Sequence, residues 1–375
     1  MRWLMVADFL PNRASGAAGT LMALGEALET MGDGVAHCWQ PSGLAFAGTA
    51  RDRFVDLGRR QFRQVRAALA ARPADVVTVS QPWAWRVFRD LAPQHPRTMF
   101  LNRTHGWEAR LYAHQRRFGW DRHRGPAGRA ASRFGELLTQ RSCRKAAQYA
   151  HGVVTACRRD AEFIRAQYGL SDDRVAAIAY GADDIPPASG TRSGPLRVLF
   201  VGHYRPEKGA GVTARILPGM ANRDSRTHLT FVTTPDAVAA VRQDHQAWGD
   251  RLVVEPWLDR LALAERYRAH DIVLFPSLFE GFGKTWLEAM RAGCCVVGFA
   301  EGGLPDVATT GHDALFAPTG DEVALAALLA QALGDPVGTR RIGTAAARRA
   351  VEFTWARTAD ATRTWVLGLR ATVRR

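Results

Sequence analysis

Residues 272–293 read IVLFPSLFEGFGKTWLEAMRAG, and this stretch decides the fold. Its first four residues are a short apolar run that ends at Pro276, which predicts a buried strand. A glycine-rich loop follows at 280–283, and a helix is expected to start near Lys284. Strand, loop and helix in immediate succession are typical of a parallel α/β sheet, where ligands bind at the carboxyl ends of the strands.

The same succession recurs on both sides of this stretch. A helix is expected from about Thr20 to Met31, with Gly32 placed to end it. The other expected strands cover residues 3–7, 35–38, 75–80, 98–101, 152–156, 175–179, 196–201, 229–232, 252–254 and 295–299. Alternating strands and helices predict two doubly wound α/β units in tandem, with the ligand in the cleft between them.

The best domain boundary is the segment 185–195, which reads IPPASGTRSGP. Proline, glycine and serine at this density are typical of a linker. The sequence therefore predicts an N-terminal domain over residues 1–185 and a C-terminal domain over 186–354. The tail that follows reads as one amphipathic helix, with a frayed basic end as the alternative.

Composition excludes several classes of protein. The chain has 375 residues, of which 47% are hydrophobic and 23% charged, and this balance excludes disordered, collagen-like and disulfide-rich chains. No run of about 18 apolar residues predicts a membrane-spanning helix, and the N-terminal MRWLMVADFL is interpreted as a core strand, not a signal peptide. Five cysteines without metal-ligand or redox spacing favour a cytoplasmic location.

Positive charge is the unusual feature of the composition. The net charge is +14, and residues 110–145 contain ten basic and two acidic side chains. Such a patch attracts phosphates of nucleic acid, anionic lipid or a nucleotide, although a solvated arginine-rich face explains it equally well. No nucleic-acid-binding module accompanies it, so nucleic acid is not an expected partner. Peripheral membrane contact is a hypothesis motivated by the same charge.

A second glycine-rich loop, residues 201–209, reads VGHYRPEKG and follows the strand expected at 196–201. It carries Arg205 and Lys208 three residues apart, just before an expected helix. Two fixed cations and a helix N-terminus together form a site for a diphosphate. No D-x-D triplet occurs in the chain, so a metal-bound diphosphate and a metal site are not predicted.

Two carboxylates accompany the loop at 280–283. Glu280 lies in the loop and Glu288 lies about one turn into the helix, so both can accept hydrogen bonds from vicinal sugar hydroxyls. In the first half, Gly16 and Gly19 precede an expected helix, where backbone amides bind anions. Their spacing is not G-x-G-x-x-G, which counts against a nicotinamide-dependent oxidoreductase.

At this point the motifs resemble a known family. Glu280 and Glu288 resemble the E-x7-E motif of retaining glycosyltransferases with the GT-B fold, most closely family 4, the glycosyltransferase group 1 type. Residues 202–209 are similar to the diphosphate-binding segment of that family. The resemblance is strong over about 196–360 and weaker over 1–185.

The resemblance implies a GT-B fold, with two Rossmann-like doubly wound domains facing a central cleft. The C-terminal domain would bind the nucleotide-sugar donor and the N-terminal domain the acceptor, with a final helix at about 355–375 crossing back to the N-terminal domain. The implied reaction moves a sugar, with retention and without metal, from a UDP- or GDP-type donor. The acceptor would be a glycan, a lipid carrier or a natural product, and no separate cofactor is implied.

The resemblance also implies roles for individual residues. Arg205 and Lys208 would hold the diphosphate, Glu288 the ribose and Glu280 the hydroxyls of the transferred sugar. His105, in a loop after the strand at 98–101, would contact the donor sugar and complete a catalytic set with Glu280, Arg205 and Lys208. The further donor-binding residues implied are Gly16, Gly19, Gly202, Trp257, Leu258, Gly281, Phe282, Gly283, Lys284 and Thr285, with Trp257 and Leu258 near the base.

Several alternatives stay open on the sequence. Glu280 is a nucleophile or only a sugar ligand, and the family suggests attack on the same face that the leaving group departs from. Lys284 stands where an apolar residue is commoner, and it contacts a donor phosphate or an acidic sugar, or is an exposed first-turn residue. A sugar-nucleotide epimerase of the same fold is the alternative activity, which would need no acceptor. The sequence does not predict the oligomeric state.

Overall fold

A computed structural model describes residues 1–13, 15–40, 51–120, 122, 125–187, 192–222 and 225–373. The chain divides into two compact units, one formed by Met1–Gly181 with Trp355–Arg375 and the other by Ala182–Thr354. The first unit thus ends four residues before the predicted boundary after residue 185. Within the predicted linker, residues 188–191 lie outside the described residues.

The first unit contains a six-stranded sheet in which every pair of neighbouring strands is parallel. The spatial order is β2-β1-β3-β4-β5-β6. All six predicted strands are present within two residues of the predicted ends. Their bounds are β1 Arg2–Val6, β2 Gly34–Cys38, β3 Val76–Ser80, β4 Met99–Arg103, β5 Gly152–Thr155 and β6 Val175–Ala177.

Among the residues described between Met1 and Gly181, five helices accompany these strands. They are α1 Gly16–Thr30, α2 Leu57–Ala71, α3 Glu108–Phe118, α4 Pro126–Tyr149 and α5 Arg158–Tyr168. Shorter helical turns cover Asp52–Asp56, Val87–Leu91, Ala92–Gln94 and Asp172–Arg174. Buried side chains of α1 and α2 cover the central strands of the sheet.

The predicted start of α1 at Thr20 is wrong by one turn, because the helix begins at Gly16. Ser15 is the N-cap, and its side chain accepts a hydrogen bond from the Ala18 amide at 3.4 Å. Gly16 and Gly19 therefore lie inside the helix and not in a loop. A Cβ at Gly19 would lie 2.4 Å from the Arg13 carbonyl oxygen, so this glycine lets the preceding loop pass closely over the helix.

The second unit contains another parallel six-stranded sheet, in the order β12-β11-β10-β7-β8-β9. Its bounds are β7 Arg197–Val201, β8 His228–Thr233, β9 Leu252–Pro256, β10 Ile272–Phe275, β11 Cys295–Phe299 and β12 Leu315–Ala317. The chain runs outward from β7 to β9 and then returns to the other side of β7 with β10. The switch point of the sheet therefore lies between β7 and β10, and the sequence did not predict the short strand β12.

The described part of this unit contains seven helices, which connect or follow its strands. They are α6 Ala210–Met220, α7 Val238–Asp244, α8 Arg260–Ala269, α9 Lys284–Arg291, α10 Leu304–Val307, α11 Glu322–Gly334 and α12 Pro336–Ala350. Single turns of 3-10 helix cover Pro206–Lys208 and Pro235–Ala237, and a longer one covers Gln246–Arg251. Trp286, Leu287 and Met290 of α9 are fully buried and fix this helix against the sheet.

The last helix, α13 Trp355–Val373, packs in the first unit, as the resemblance implied. Ala359, Val366 and Leu369 bury its apolar face in the same core as α1. Residues 374 and 375 of the predicted span lie outside the described residues. No helix in the described part of the chain is long and apolar enough to cross a membrane.

Asp33 connects α13 to the first strand of the sheet. Its buried carboxylate accepts a hydrogen bond from the Trp3 indole N–H at 2.8 Å and lies 3.7 Å from Arg363 Nε of α13. Replacing Asp33 with Ala would leave a buried indole donor without its acceptor and would remove the ion pair.

We expect Asp33→Ala to lower the free energy of unfolding by about 2–3 kcal/mol in urea denaturation. Asp33→Asn retains an acceptor oxygen and is expected to lose less. The exposed Asp250→Ala serves as the control and is expected to stay within about 0.5 kcal/mol of the parent. Equal midpoints for Asp33→Ala and Asp250→Ala would contradict the role of Asp33.

Candidate functional site

The two glycine-rich loops of the second unit meet at its switch point. One follows β7 and the other follows β10, and parallel strands deliver both loops to the same edge of the sheet. The amides of Leu278 and Phe279 both donate to the Glu207 carbonyl oxygen, at 2.9 and 3.1 Å. These bonds fix the two loops to each other.

Gly209 allows this close approach. Its φ is +83°, which favours glycine, and a Cβ there would lie only 2.2 Å from the carbonyl oxygen of Pro276. Gly302, after β11, has φ +62°, and a Cβ there would lie 2.6 Å from the Phe282 carbonyl oxygen. The loop that carries Glu280 is therefore held between two backbone segments that have no room for side chains.

Lys208 and Glu280 form an ion pair at the centre of these loops. Lys208 Nζ lies 2.5 Å from Glu280 Oε1, and the Ser277 hydroxyl donates to the same oxygen at 3.1 Å. Glu280 is only 9% exposed, so it is a buried carboxylate with a cation and a hydroxyl as partners. Two of the residues predicted to act together are thus in direct contact.

Arg205 lies at the start of the same turn, with an exposed side chain. Its carbonyl oxygen accepts from the amides of Lys208 and Ala210, at 3.0 and 3.1 Å, and this closes the turn. Helix α6 begins at Ala210, so its partial positive charge lies beside both cations. The loop therefore combines one cation that is paired, one that faces solvent, and a helix N-terminus.

Glu288 lies one turn into α9 in a different environment. Its Oε2 accepts a hydrogen bond from the Tyr267 hydroxyl at 3.1 Å, and its Oε1 lies 3.6 Å from Lys284 Nζ. Burial raises the pKa of Glu288 above its usual value, although Lys284 and Tyr267 act in the opposite direction. Lys284 is not an exposed first-turn residue, because its side chain is only 17% accessible and pairs with Glu288. Thr285 is half-buried beside it on the same turn.

An aromatic pair lies farther along the same edge of the sheet. Trp257 follows β9 and is 43% exposed, and its ring lies edge-to-face with His203 at 5.2 Å between centroids. Burial and the nearby Arg205 and Lys208 lower the pKa of His203, so its imidazole is neutral near pH 7. The exposed indole, with half-buried Leu258 next to it, offers a flat apolar surface.

In the first unit, His105 follows β4 and is held by hydrogen bonds. Its Nδ1 lies 3.1 Å from the Tyr180 hydroxyl, and its Nε2 lies 3.5 Å from the Ser80 hydroxyl. Burial and the neighbouring Arg103 lower the pKa of His105 to about 3. His105 is therefore a neutral hydrogen-bonding group with a fixed ring orientation.

The structure divides the predicted residues into two groups. Those of the second unit lie along the carboxyl edge of its sheet: Gly202, Arg205, Lys208, Trp257, Leu258, Glu280, Gly281, Phe282, Gly283, Lys284, Thr285 and Glu288. The first unit contains His105, Gly16 and Gly19, and both glycines lie within α1.

Sequence reasoning missed the groups that hold these side chains in place. Tyr267 supports Glu288 from 21 residues away, and Tyr180 supports His105 from 75 residues away, so no local pattern links them. It also missed Asp8, which lies two residues after the end of β1 and which burial gives a pKa of about 6. A polar residue just beyond a buried strand was the available signal.

Comparison with known proteins adds the family. Residues 195–335 match the family model described as glycosyl transferases group 1. These residues form a group 1 glycosyltransferase domain. The match covers both glycine-rich loops of the second unit and the Lys208–Glu280 pair between them.

Curated relatives match about half of the chain. A D-inositol 3-phosphate glycosyltransferase of Kineococcus radiotolerans is 31% identical over 227 residues, which are 52% of this chain and 52% of that protein. The chain thus spans about half the length of the curated relatives it matches.

Solved structures match nearly the whole chain. Sucrose-phosphate synthase from Thermosynechococcus elongatus has a TM-score of 0.79 at 18% identity, with 99% of this chain and all of that chain covered. Anabaena HepE in complex with UDP and glucose has a TM-score of 0.68 at 16% identity, with 96% and 98% covered. The prediction of two parallel α/β units with the GT-B fold is confirmed by these neighbours.

We expect Gly209→Ala to disrupt the group 1 domain, because a methyl group there meets the Pro276 backbone and the left-handed conformation is strained. The expected loss in the free energy of unfolding is about 1–3 kcal/mol in urea denaturation.

Gly219→Ala in the same helix region is the matched control. Gly219 has open space around its Cβ position, so alanine is expected to be neutral or stabilising by up to about 1 kcal/mol. Indistinguishable unfolding curves for the two variants would show that the loops tolerate a side chain at Gly209.

Proposed function

We propose that this protein is a retaining, metal-independent glycosyltransferase that moves a sugar from a nucleoside-diphosphate sugar to an acceptor. The observation that carries the proposal is the Lys208–Glu280 pair at the switch point of the group 1 domain, with a half-buried Glu288 eight residues on. This arrangement supplies cations for a diphosphate and two carboxylates for hydroxyl groups. A Rossmann-like sheet binds its ligand at this edge.

The diphosphate is proposed to lie against Arg205, Lys208 and the N-terminus of α6. When the bond between the anomeric carbon and the diphosphate oxygen breaks, negative charge develops on that oxygen. Cations that are already in place stabilise this charge without reorganising. Because two side chains and a helix N-terminus supply the positive charge, we propose that transfer needs no metal ion.

Glu280 is proposed as a sugar ligand and not as a nucleophile. Its carboxylate is already neutralised by Lys208 and accepts a hydrogen bond from Ser277, both of which reduce its nucleophilicity. A bound diphosphate would compete for Lys208 and so free carboxylate lone pairs for the hydroxyls of the sugar. Attack from the face that the leaving group departs from, with the departing phosphate taking the acceptor proton, then accounts for retention.

The nucleoside is proposed to bind farther along the same edge. Glu288 accepts hydrogen bonds from the ribose hydroxyls, while Tyr267 keeps its carboxylate in position. The exposed Trp257 indole packs against the base. HepE, which shares this fold, is described in complex with UDP, and this supports UDP as the first nucleotide to test.

The first unit is proposed to bind the acceptor, and His105 is proposed as a group that hydrogen-bonds a sugar hydroxyl. The neutral imidazole of His105 suits hydrogen bonding to a hydroxyl and does not suit proton donation near pH 7. The acceptor classes proposed are a glycan, a lipid carrier or a natural product, and the relatives named for inositol 3-phosphate support starting with a phosphorylated polyol. No disulfide joins cysteines in the described part of the chain, and this supports a proposed cytoplasmic location.

The epimerase alternative is not favoured, because the Kineococcus relative is named a glycosyltransferase and the Thermosynechococcus neighbour a synthase. The two activities differ in one observable. An epimerase converts its donor with no acceptor present, whereas a transferase releases a nucleoside diphosphate only as the sugar is transferred to an acceptor or to water.

Nucleotide binding tests the proposal. We expect UDP, in a panel with GDP, ADP, TDP and CDP and with EDTA present, to raise the melting temperature. Saturation at about 100 times the dissociation constant stabilises the protein by roughly 2.7 kcal/mol. Arg205→Gln and Lys208→Gln are expected to abolish the shift, because each removes a cation from the diphosphate site.

Arg242→Gln, an exposed cation of α7 in the same unit, is the matched control and is expected to keep the shift. No response to any nucleotide of the panel would contradict the proposed donor site. A response that EDTA abolishes and Mg²⁺ restores would contradict metal independence.

The pH dependence of UDP binding tests the role of Glu288. Only its carboxylate form accepts both ribose hydroxyls, and burial raises its pKa, so affinity is expected to fall with acidification at a pH above 4.5, the ordinary glutamate pKa. Glu288→Gln is expected to bind more weakly near pH 8 and to approach the parent affinity at low pH.

Calorimetric titration of both proteins from pH 5 to pH 8 measures this. The ratio of the two affinities cancels the titration of UDP itself. A ratio that does not change with pH would show that the protonation state of Glu288 plays no part in binding.

A further inference from the structure

One surface of the first unit has no part in the proposed chemistry, and it lies on α4. This 24-residue helix buries one face through Thr139, Cys143 and Ala147. Opposite lies its outer face, a stripe with helical spacing that is about 30 Å long at 1.5 Å per residue. The outer face consists of Arg129, Ala130, Arg133, Phe134, Leu137, Gln140, Arg141, Arg144, Lys145 and Gln148.

Two large apolar side chains lie in the middle of the outer face. Phe134 is 58% exposed and Leu137 is 64% exposed, and the two are three residues apart on the same side of the helix. Together with Pro126 and Ala130 they line a shallow, mainly apolar depression. Single exposed apolar residues are ordinary, but a Phe and a Leu side by side on an exposed helix face form a contact surface.

The rest of the outer face is cationic. Five of its residues are basic and none is acidic. The one acidic residue of the helix, Glu136, lies off this face and pairs with Arg116 of α3. The N-terminal half is apolar with flanking arginines, and the C-terminal half carries Arg141, Arg144 and Lys145.

The positive charge continues past the C-terminal end of the outer face. Lys145 Nζ lies 3.8 Å from the centre of the Trp85 ring, which Arg86 and Arg89 also approach, at 5.4 and 4.9 Å. Burial and then Arg141, Arg89 and Arg86 lower the pKa of Lys145, which indicates mutual repulsion among these cations. Cations are attracted to the face of a tryptophan ring, and tryptophan is enriched at membrane–water interfaces.

The positive charge and the exposed apolar side chains together indicate which kind of partner the outer face of α4 binds. A soluble polyanion would pair with the arginines but leave Phe134 and Leu137 in water. A second copy of the chain would bring one cationic face against another. An anionic bilayer satisfies both features, because apolar side chains enter the headgroup region while arginines reach lipid phosphates.

We infer that the outer face of α4 binds the surface of a membrane that contains anionic phospholipid. The helix lies in the membrane plane, with Phe134 and Leu137 inserted and the basic side chains on phosphates. This inference rests on the first unit alone and does not depend on the donor site proposed in the second unit.

Vesicle flotation tests the inference. The full chain is mixed with vesicles of phosphatidylcholine, with or without phosphatidylglycerol at about 30% of the lipid. This proportion gives the vesicles a negative surface potential like that of an anionic membrane. We expect the protein to float with the anionic vesicles and to stay behind with the neutral ones. Binding is expected to weaken with salt, because surface charge is screened.

Two double variants divide the contributions. Arg141→Glu with Arg144→Glu removes two cations and is expected to weaken binding by at least about 25-fold, at about fivefold per lost cation, which corresponds to roughly 1 kcal/mol each. Phe134→Ser with Leu137→Ser leaves the charge unchanged and is expected to weaken binding to the same vesicles severalfold.

Matched controls come from the second unit. Val323→Ser with Val337→Ser replaces two residues that are 83% and 80% exposed, and Arg341→Glu with Arg348→Glu reverses two exposed cations of α12. Both are expected to float like the parent. Unchanged melting temperatures and UDP-induced shifts show that each variant is folded and that its donor site is intact.

Three outcomes would overturn the inference. The first is no enrichment of the parent protein on anionic vesicles. The second is equal flotation of the α4 variants and their controls. The third is binding that depends on the arginines but not on Phe134 and Leu137, together with equally strong binding to heparin. That result would make the outer face of α4 a site for soluble polyanions.

Discussion

The close approach of Gly209 to Pro276 is the constraint on which the rest of the candidate site depends. β7 and β10 are parallel neighbours, so the loops that leave their carboxyl ends must pass each other at the edge of the sheet. They can do so only because no side chain stands at Gly209. This contact places Lys208, the preceding residue, against Glu280, four residues beyond Pro276. The packing of two backbones thus determines the position of an ion pair.

The two glutamates are stabilised by different partners, and this suits them to different ligands. Burying a carboxylate is costly unless a cation or hydrogen-bond donors compensate it. Glu280 has a cation and a hydroxyl at one of its oxygens, whereas Glu288 has a phenol at 3.1 Å and a more distant ammonium at 3.6 Å. A ligand that displaces Lys208 would change the charge balance at Glu280. The partners of Glu288 are Tyr267 and Lys284, so a ligand on Lys208 would leave them unchanged. This independence suits a residue that binds the unreactive part of the donor.

The sequence predicted the strands well because a buried parallel strand is a continuous apolar run between turn residues. Ile272–Phe275 and Cys295–Phe299 were predicted to the residue. Local signals failed where packing decides. Gly16 and Gly19 resemble a loop, but a Ser15 cap and the passage of the Arg13 backbone over Gly19 place them in a helix. The residue types of the site were readable as a motif, whereas the partners Tyr267 and Tyr180 come from distant segments that only the fold brings near.

The arginine content is a second case in which the sequence alone could not identify functional residues. The chain has 47 arginines and three lysines, and the sequence alone could not separate incidental cations from functional ones in so large a set. The structure separates them by their neighbours. Arg266 and Arg340 pair with Glu255 and Asp271, which explains them as parts of the fold. The outer face of α4 has cations around an exposed Phe134 and Leu137, and neither solubility nor packing within the first unit requires that combination. Exposed apolar side chains inside a cationic stripe therefore mark a contact surface in a way that charge alone does not.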